Sequence, residues 1–77
     1  MARILVIDDE LAIRDLTELV LKRENFQVKT AENGKKGLIE LNSFQPDLVL
    51  LDLMLPDYSG YDLCKEIVKE SNIPVIM

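Results

Sequence analysis

Three aspartates stand where carboxylates could do chemistry together. Asp8 and Asp9 directly follow the apolar run at residues 4–7, and Asp52 directly follows Leu48–Leu51. Hard oxygen donors gathered in a small cluster suit Mg2+, which keeps several waters and takes one or two protein carboxylates directly. Carboxylates at close range repel one another, and a divalent cation relieves that repulsion. Such a cation would also let a phosphoryl group approach and would stabilise charge on its equatorial oxygens during transfer. A carboxylate can serve as the covalent nucleophile, giving an aspartyl phosphate. The chain contains no histidine, so a phosphoryl donor has to come from a partner or a small molecule.

For these groups to meet, the runs that precede them must be neighbouring strands. Residues 4–7, 48–51 and 74–77 are continuous apolar runs, the pattern of strands buried on both faces of a parallel sheet. Residues 26–31 alternate instead, through Phe26, Val28 and Thr30, and read as a weaker strand near an edge. Between the runs the period changes. Over Leu11–Arg23, the residues Ala12, Leu16, Leu19, Val20 and Arg23 recur at three- and four-residue steps and predict an amphipathic helix. Asn33-Gly34 is turn chemistry before a shorter helix over 35–42, with Leu38 and Leu41 inward. Pro46 leads into the strand at Leu48. Ser59 with Asp62 resembles a capping box opening a helix over 60–70, whose inner face would be Tyr61, Cys64, Ile67 and Val68. The order β-α-β-α-β-α-β predicts an α/β fold of parallel strands joined by right-handed crossovers. Ligands bind such sheets beyond the carboxyl ends of the strands, where the strand order reverses. If the first and third strands are neighbours, Asp8, Asp9 and Asp52 converge there.

The totals narrow the field. A chain of 77 residues is one small domain at most, and a domain of that size buries only about 60% of its unfolded surface. With 48% apolar and 30% charged residues the composition is globular. The net charge is −5, from 14 acidic and 9 basic residues, which makes direct nucleic-acid or anionic-membrane binding a poor expectation. No apolar run approaches the roughly 20 residues of a membrane helix, and the first run is too short for a signal peptide. The one cysteine, Cys64, allows no internal disulfide. A reducing, cytoplasmic location is expected.

The motifs "ILVIDDE", "PDLVLLDLMLPDYSGYDLCKEI" and "IPVIM", in that order, resemble bacterial two-component response-regulator receiver domains along the whole chain. The resemblance implies a flavodoxin-like parallel sheet with strand order about 2-1-3-4. It implies that Asp52 is the phosphoacceptor, served by a sensor histidine kinase. It also implies that Asp8 and Asp9 hold Mg2+, Asp9 more directly, with Asp52 and the backbone carbonyl of Met54 completing the protein ligands. Residues 56–60 match the loop after the phosphorylation site. "LPDYSGYDLCK" is similar to receivers attached to winged-helix transcription factors. The family also carries a Thr or Ser just after the fourth strand, and a Lys and an aromatic residue associated with the fifth. None of these falls within the 77 residues. The expectation is therefore a partial receiver domain over 1–77, truncated after the fourth strand and not a competent switch by itself.

Plainer readings stand beside these. Asp8, Asp9 and Glu10 could simply cap the first helix. The apolar run ending in Asp52 also resembles a Walker-B strand, but the required glycine-rich phosphate loop is absent. Asp52 is followed by Leu-Met rather than completing an Asp-x-Asp phosphatase signature. With no general acid in view either, an enzyme is not expected. Cys64 reads as a small packing residue, Lys22-Arg23 and Lys35-Lys36 as solvated faces, and Tyr58 and Tyr61 as packing. A terminal apolar strand and a bare sheet face lead to a further expectation, self-association as a homodimer or higher. The alternative function is then a self-associating half-fold, or an engineered fragment, whose acidic pocket is vestigial.

Overall fold

Each continuous apolar run forms a strand, and each stretch of helical period forms a helix. The computed structural model describes residues 1–77. The order is β1 (Arg3–Ile7), α1 (Leu11–Arg23), β2 (Gln27–Ala31), α2 (Gly34–Phe44), β3 (Leu48–Leu51), α3 (Gly60–Ser71) and β4 (Val75–Ile76). The four strands make one parallel sheet in the order β2-β1-β3-β4. The α/β class and strand order read from the sequence are those of the structure. β2, the alternating strand, lies at one edge as expected.

Successive residues of a strand point to opposite faces, and the two faces are covered differently. Leu5 and Ile7 of β1, and Val49 and Leu51 of β3, enter one core with Ala31, Leu41 of α2, and Leu63 and Ile67 of α3. Fully burying one such side chain contributes roughly 1.5–3 kcal/mol. On the opposite face Ile4 and Val6 are buried, while Leu48 and Leu50 are half-buried and Ile76 is exposed. α1 lies over β1 and β2 on that side.

α1 leaves its apolar stripe uncovered, and the inner face read for α3 needs correction except at Ile67. α1 has no buried residue. Leu16, Leu19 and Val20, which mark its helical period in the sequence, are all more than half exposed. Its least exposed positions are Arg14, Thr17, Glu18 and Leu21. In α3 the inner row is Gly60, Leu63 and Ile67, whereas Tyr61 is 64% and Val68 46% exposed. The phase of α3 is set by its first residue. A Cβ at Gly60 would lie 2.5 Å from Leu53 Cα, so only glycine lets the helix start against that backbone. Ser59 occupies the N-cap position with extended backbone but makes no side-chain cap bond. The expected capping box does not form. β4 is shorter than its apolar run, and β2 starts one residue later than expected.

Candidate functional site

The register of the sheet builds the site. Ile7 pairs with Leu51, so the next residues, Asp8 and Asp52, leave adjacent strand tips together. The Asp52 amide donates to the Ile7 carbonyl at 2.9 Å, and the Asp8 amide to the Ala31 carbonyl at 3.1 Å. Backbone hydrogen bonds therefore hold both aspartates in the plane of the sheet. One neighbour of β1 follows it by a single crossover and the other comes later, so the strand order reverses beside β1. That is the switch point where open parallel sheets bind ligands.

Asp8, Asp9 and Asp52 each offer a carboxylate oxygen, and these oxygens lie within 4.8 Å of one another. Asp8 and Asp52 are half-buried and Asp9 is exposed. Asp8 Oδ1 accepts from the Glu10 amide at 2.9 Å. The Asp8 carbonyl accepts from the Arg14 guanidinium at 2.7 Å, which ties α1 to the tip of β1. Asp52 Oδ1 accepts from the Met54 amide at 3.2 Å, which orients the group while its second oxygen accepts no protein hydrogen bond. The helix-cap reading of the acidic run is not what the structure shows. Glu10 is the N-cap of α1 without a side-chain cap bond.

The donor set fits a small hard cation. Mg2+ takes oxygens at about 2.0–2.1 Å in an octahedron, so opposite ligands lie about 4.2 Å apart. Neighbouring ligands of that octahedron lie about 3 Å apart, so oxygens within 4.8 Å of one another can share one such ion by turning inward, or can reach it through its retained waters. Met54 is 81% exposed and bridges antiparallel to Ser59. It stands on the loop that carries the chain from Asp52 to α3.

One polar group of that loop was not read from the sequence. Asp57 turns away from the acidic group and binds the start of α2. Its Oδ1 accepts from the Gly34 amide at 2.8 Å and its Oδ2 from the Lys35 amide at 2.9 Å. Partial desolvation pushes this carboxyl up, but hydrogen bonds from the Gly34, Lys35 and Asp57 amides, with the charge of Lys35, together hold the group below the usual aspartate range. Tyr58 lies over Gly34, where a Cβ would run into the Tyr58 ring. An Asp after a Pro reads as a turn residue, and a partner more than twenty positions away leaves no local signal. Nearby, Glu32 is held below the usual carboxylate range by hydrogen bonding and ion pairing with Lys36.

Fold and site together define a parallel α/β domain with an acidic crevice at its switch point. The chain belongs to the response regulator receiver domain family, which it matches over residues 4–77. It is therefore a receiver module of two-component phosphorelay signalling. It is 45% identical over 75 residues to the probable transcriptional regulator ycf27 of Porphyra purpurea, covering 97% of this chain and 31% of that protein. It is 39% identical to the DNA-binding response regulator MtrA of Mycobacterium leprae, covering 97% of this chain and 33% of MtrA. The chain thus spans about a third of the length of these curated relatives. Among solved structures it resembles the response regulator protein TrrA of Thermotoga maritima in complex with Mg2+-BeF. The TM-score is 0.93 at 41% identity, covering 100% of this chain and 68% of that one. It also resembles a chain in the complex of the histidine kinase ThkA with TrrA, with TM-score 0.90 at 41% identity, covering 97% and 66%. No helix is long and apolar enough to cross a membrane.

Proposed function

We propose that Asp52 accepts a phosphoryl group from a sensor histidine kinase, at a site where Asp8, Asp9, Asp52 and the Met54 carbonyl hold Mg2+. The observation that carries this reading is the meeting of the three carboxylates at adjacent strand tips. The similar TrrA structures, one with Mg2+-BeF and one with a histidine kinase, support it. The oxygen of Asp52 that accepts no protein hydrogen bond attacks phosphorus. An O–P bond forms as the N–P bond of a phosphohistidine breaks, and the freed imidazole leaves with its electron pair. Bound Mg2+ supplies charge neutralisation at the transferring oxygens. The Met54 amide keeps Asp52 from rotating away, and Asp8 and Asp9 accept no part of the group. The chain works as a signalling acceptor and not as an enzyme turning over substrate. Incubation with Mg2+ and phosphoramidate should add the mass of one phosphoryl group to the chain, and Asp52→Asn should abolish it. Equal labelling of the Asn variant would refute the assignment.

A second reading concerns assembly. We infer that a second copy packs on the sheet face beside α1. A groove of roughly 230 Å³ there is lined by Val6, Leu50, Ile76 and Met77 together with Thr17, Asp8 and Asp52, and β4 pairs only with β3. A two-fold pair formed there would cover the half-buried Leu50 and the exposed Ile76 of both copies. Sedimentation equilibrium should give a dimer at tens of micromolar, and an ideal monomer there would sink the idea.

A further inference from the structure

We propose that Asp57 is a positioning residue for the metal site: its carboxylate, held by two backbone amides of α2, fixes the loop that presents Met54. This rests on the reading of Met54 as a carbonyl ligand. The loop from Asp52 to Ser59 is fastened at three places. At its base Asp52 is bonded to Ile7 through its amide. At its waist the Gly60 amide donates to the Leu53 carbonyl at 2.9 Å, and Met54 bridges to Ser59. At its far end Asp57 is gripped by the Gly34 and Lys35 amides, with Tyr58 set against Gly34. Leu53 and Met54 themselves are exposed, so packing does little to hold the segment that would bear the ligand. Backbone ties to Ser59 and Gly60 hold it to the start of α3, and the carboxylate at position 57 anchors the same loop to α2.

The chemistry suits the task. A bidentate carboxylate on two amides of a helix start is a charge-assisted pair of bonds, shorter and stronger than neutral ones, and it sits at the positive end of the α2 dipole. Asn33, the N-cap of α2, already satisfies the Lys36 amide at 2.8 Å. Gly34 and Lys35 are thus left for a partner from outside the helix, and the loop supplies it. Groups that orient a ligand from behind commonly change metal affinity by about 10–100-fold when removed.

The test is Mg2+ binding by calorimetry on the intact chain. Asp57→Asn keeps the size but loses the charge and one acceptor, and should weaken Mg2+ about tenfold by that precedent. Asp47→Asn removes the same charge at the opposite end of the sheet, where Asp47 accepts from the Arg3 amide at 2.8 Å. It should change affinity less than about twofold, since exposed charges that far apart are screened. An effect of equal size in both variants, or none in Asp57→Asn, would overturn the positioning role and leave the metal site standing. A wild-type chain that binds no Mg2+ would overturn the metal reading and the positioning role with it. A measurement without variants guards against misfolding. Saturating Mg2+ should slow hydrogen exchange at the Gly34 and Lys35 amides severalfold while leaving Lys36 unchanged. Identical exchange with and without Mg2+ would refute the coupling.

Discussion

At the scale of single residues, the acidic group was legible because its members end apolar runs. A strand that stops at a carboxylate announces a tip, and two tips on neighbouring strands meet. Asp57 was not legible, because its partners are the backbone amides of Gly34 and Lys35, which no side-chain pattern encodes. Its lowered pKa makes a testable sign. The folded group binds its proton less readily than the unfolded one, so its stabilisation is present above the unfolded aspartate value of about 3.9 and is lost as pH falls below it through the folded value. Stability curves of wild type and Asp57→Asn should therefore converge on acidification below about pH 4 and separate above it. Curves that stay parallel throughout would contradict the two amide bonds.

At the scale of elements, helix existence and helix phase separate cleanly. α1 forms over the residues its periodicity indicates, yet the row Leu16, Leu19, Val20 is exposed. Periodicity reports that an apolar stripe exists, while the neighbours available decide whether it is covered. α3 makes the same point by one position. The contact of Gly60 with Leu53 rotates the helix so that Leu63 and Ile67 are fully buried, and Tyr61 and Val68 turn outward. The expected consequence is a sharp asymmetry between adjacent residues. Ile67→Ala should cost about 2–5 kcal/mol through the cavity it leaves, and Val68→Ala no more than about 0.5 kcal/mol. Urea unfolding of the two variants checks it, and similar losses would mean that the inner face has been misplaced.

At the scale of the whole molecule, the sheet brings sequence-distant charge together and leaves one face thinly covered. The core on the α2 and α3 side is closed by side chains from four elements, β1, α2, β3 and α3, and by Ala31 of β2. The α1 side keeps Leu50 half-buried and Ile76 exposed. Three carboxylates at one end oppose compaction through their mutual repulsion, so an ion that binds only the folded arrangement should stabilise it. Mg2+ at tenfold above its dissociation constant adds about 1.4 kcal/mol. For a domain of this size that is roughly 5–10 °C in Tm. Calorimetric scans with Mg2+ and then with excess chelator should show the rise and its reversal, and Asp9→Asn should lack it. A Tm indifferent to Mg2+ in the wild-type chain would count against a shared ion.

Read alone, the amino-acid order determined the element types, their alternation, the parallel sheet and the residues at the strand tips. These follow from local matters: apolar period, turn chemistry and the short reach of the backbone. The three-dimensional arrangement decided which side of each helix is inward, how the β3–α3 loop is anchored, and how much of the sheet is covered. Those depend on contacts that no local period encodes, such as Gly60 against the Leu53 backbone or Asp57 with the start of α2. Their energies are set by distance and burial rather than by residue type.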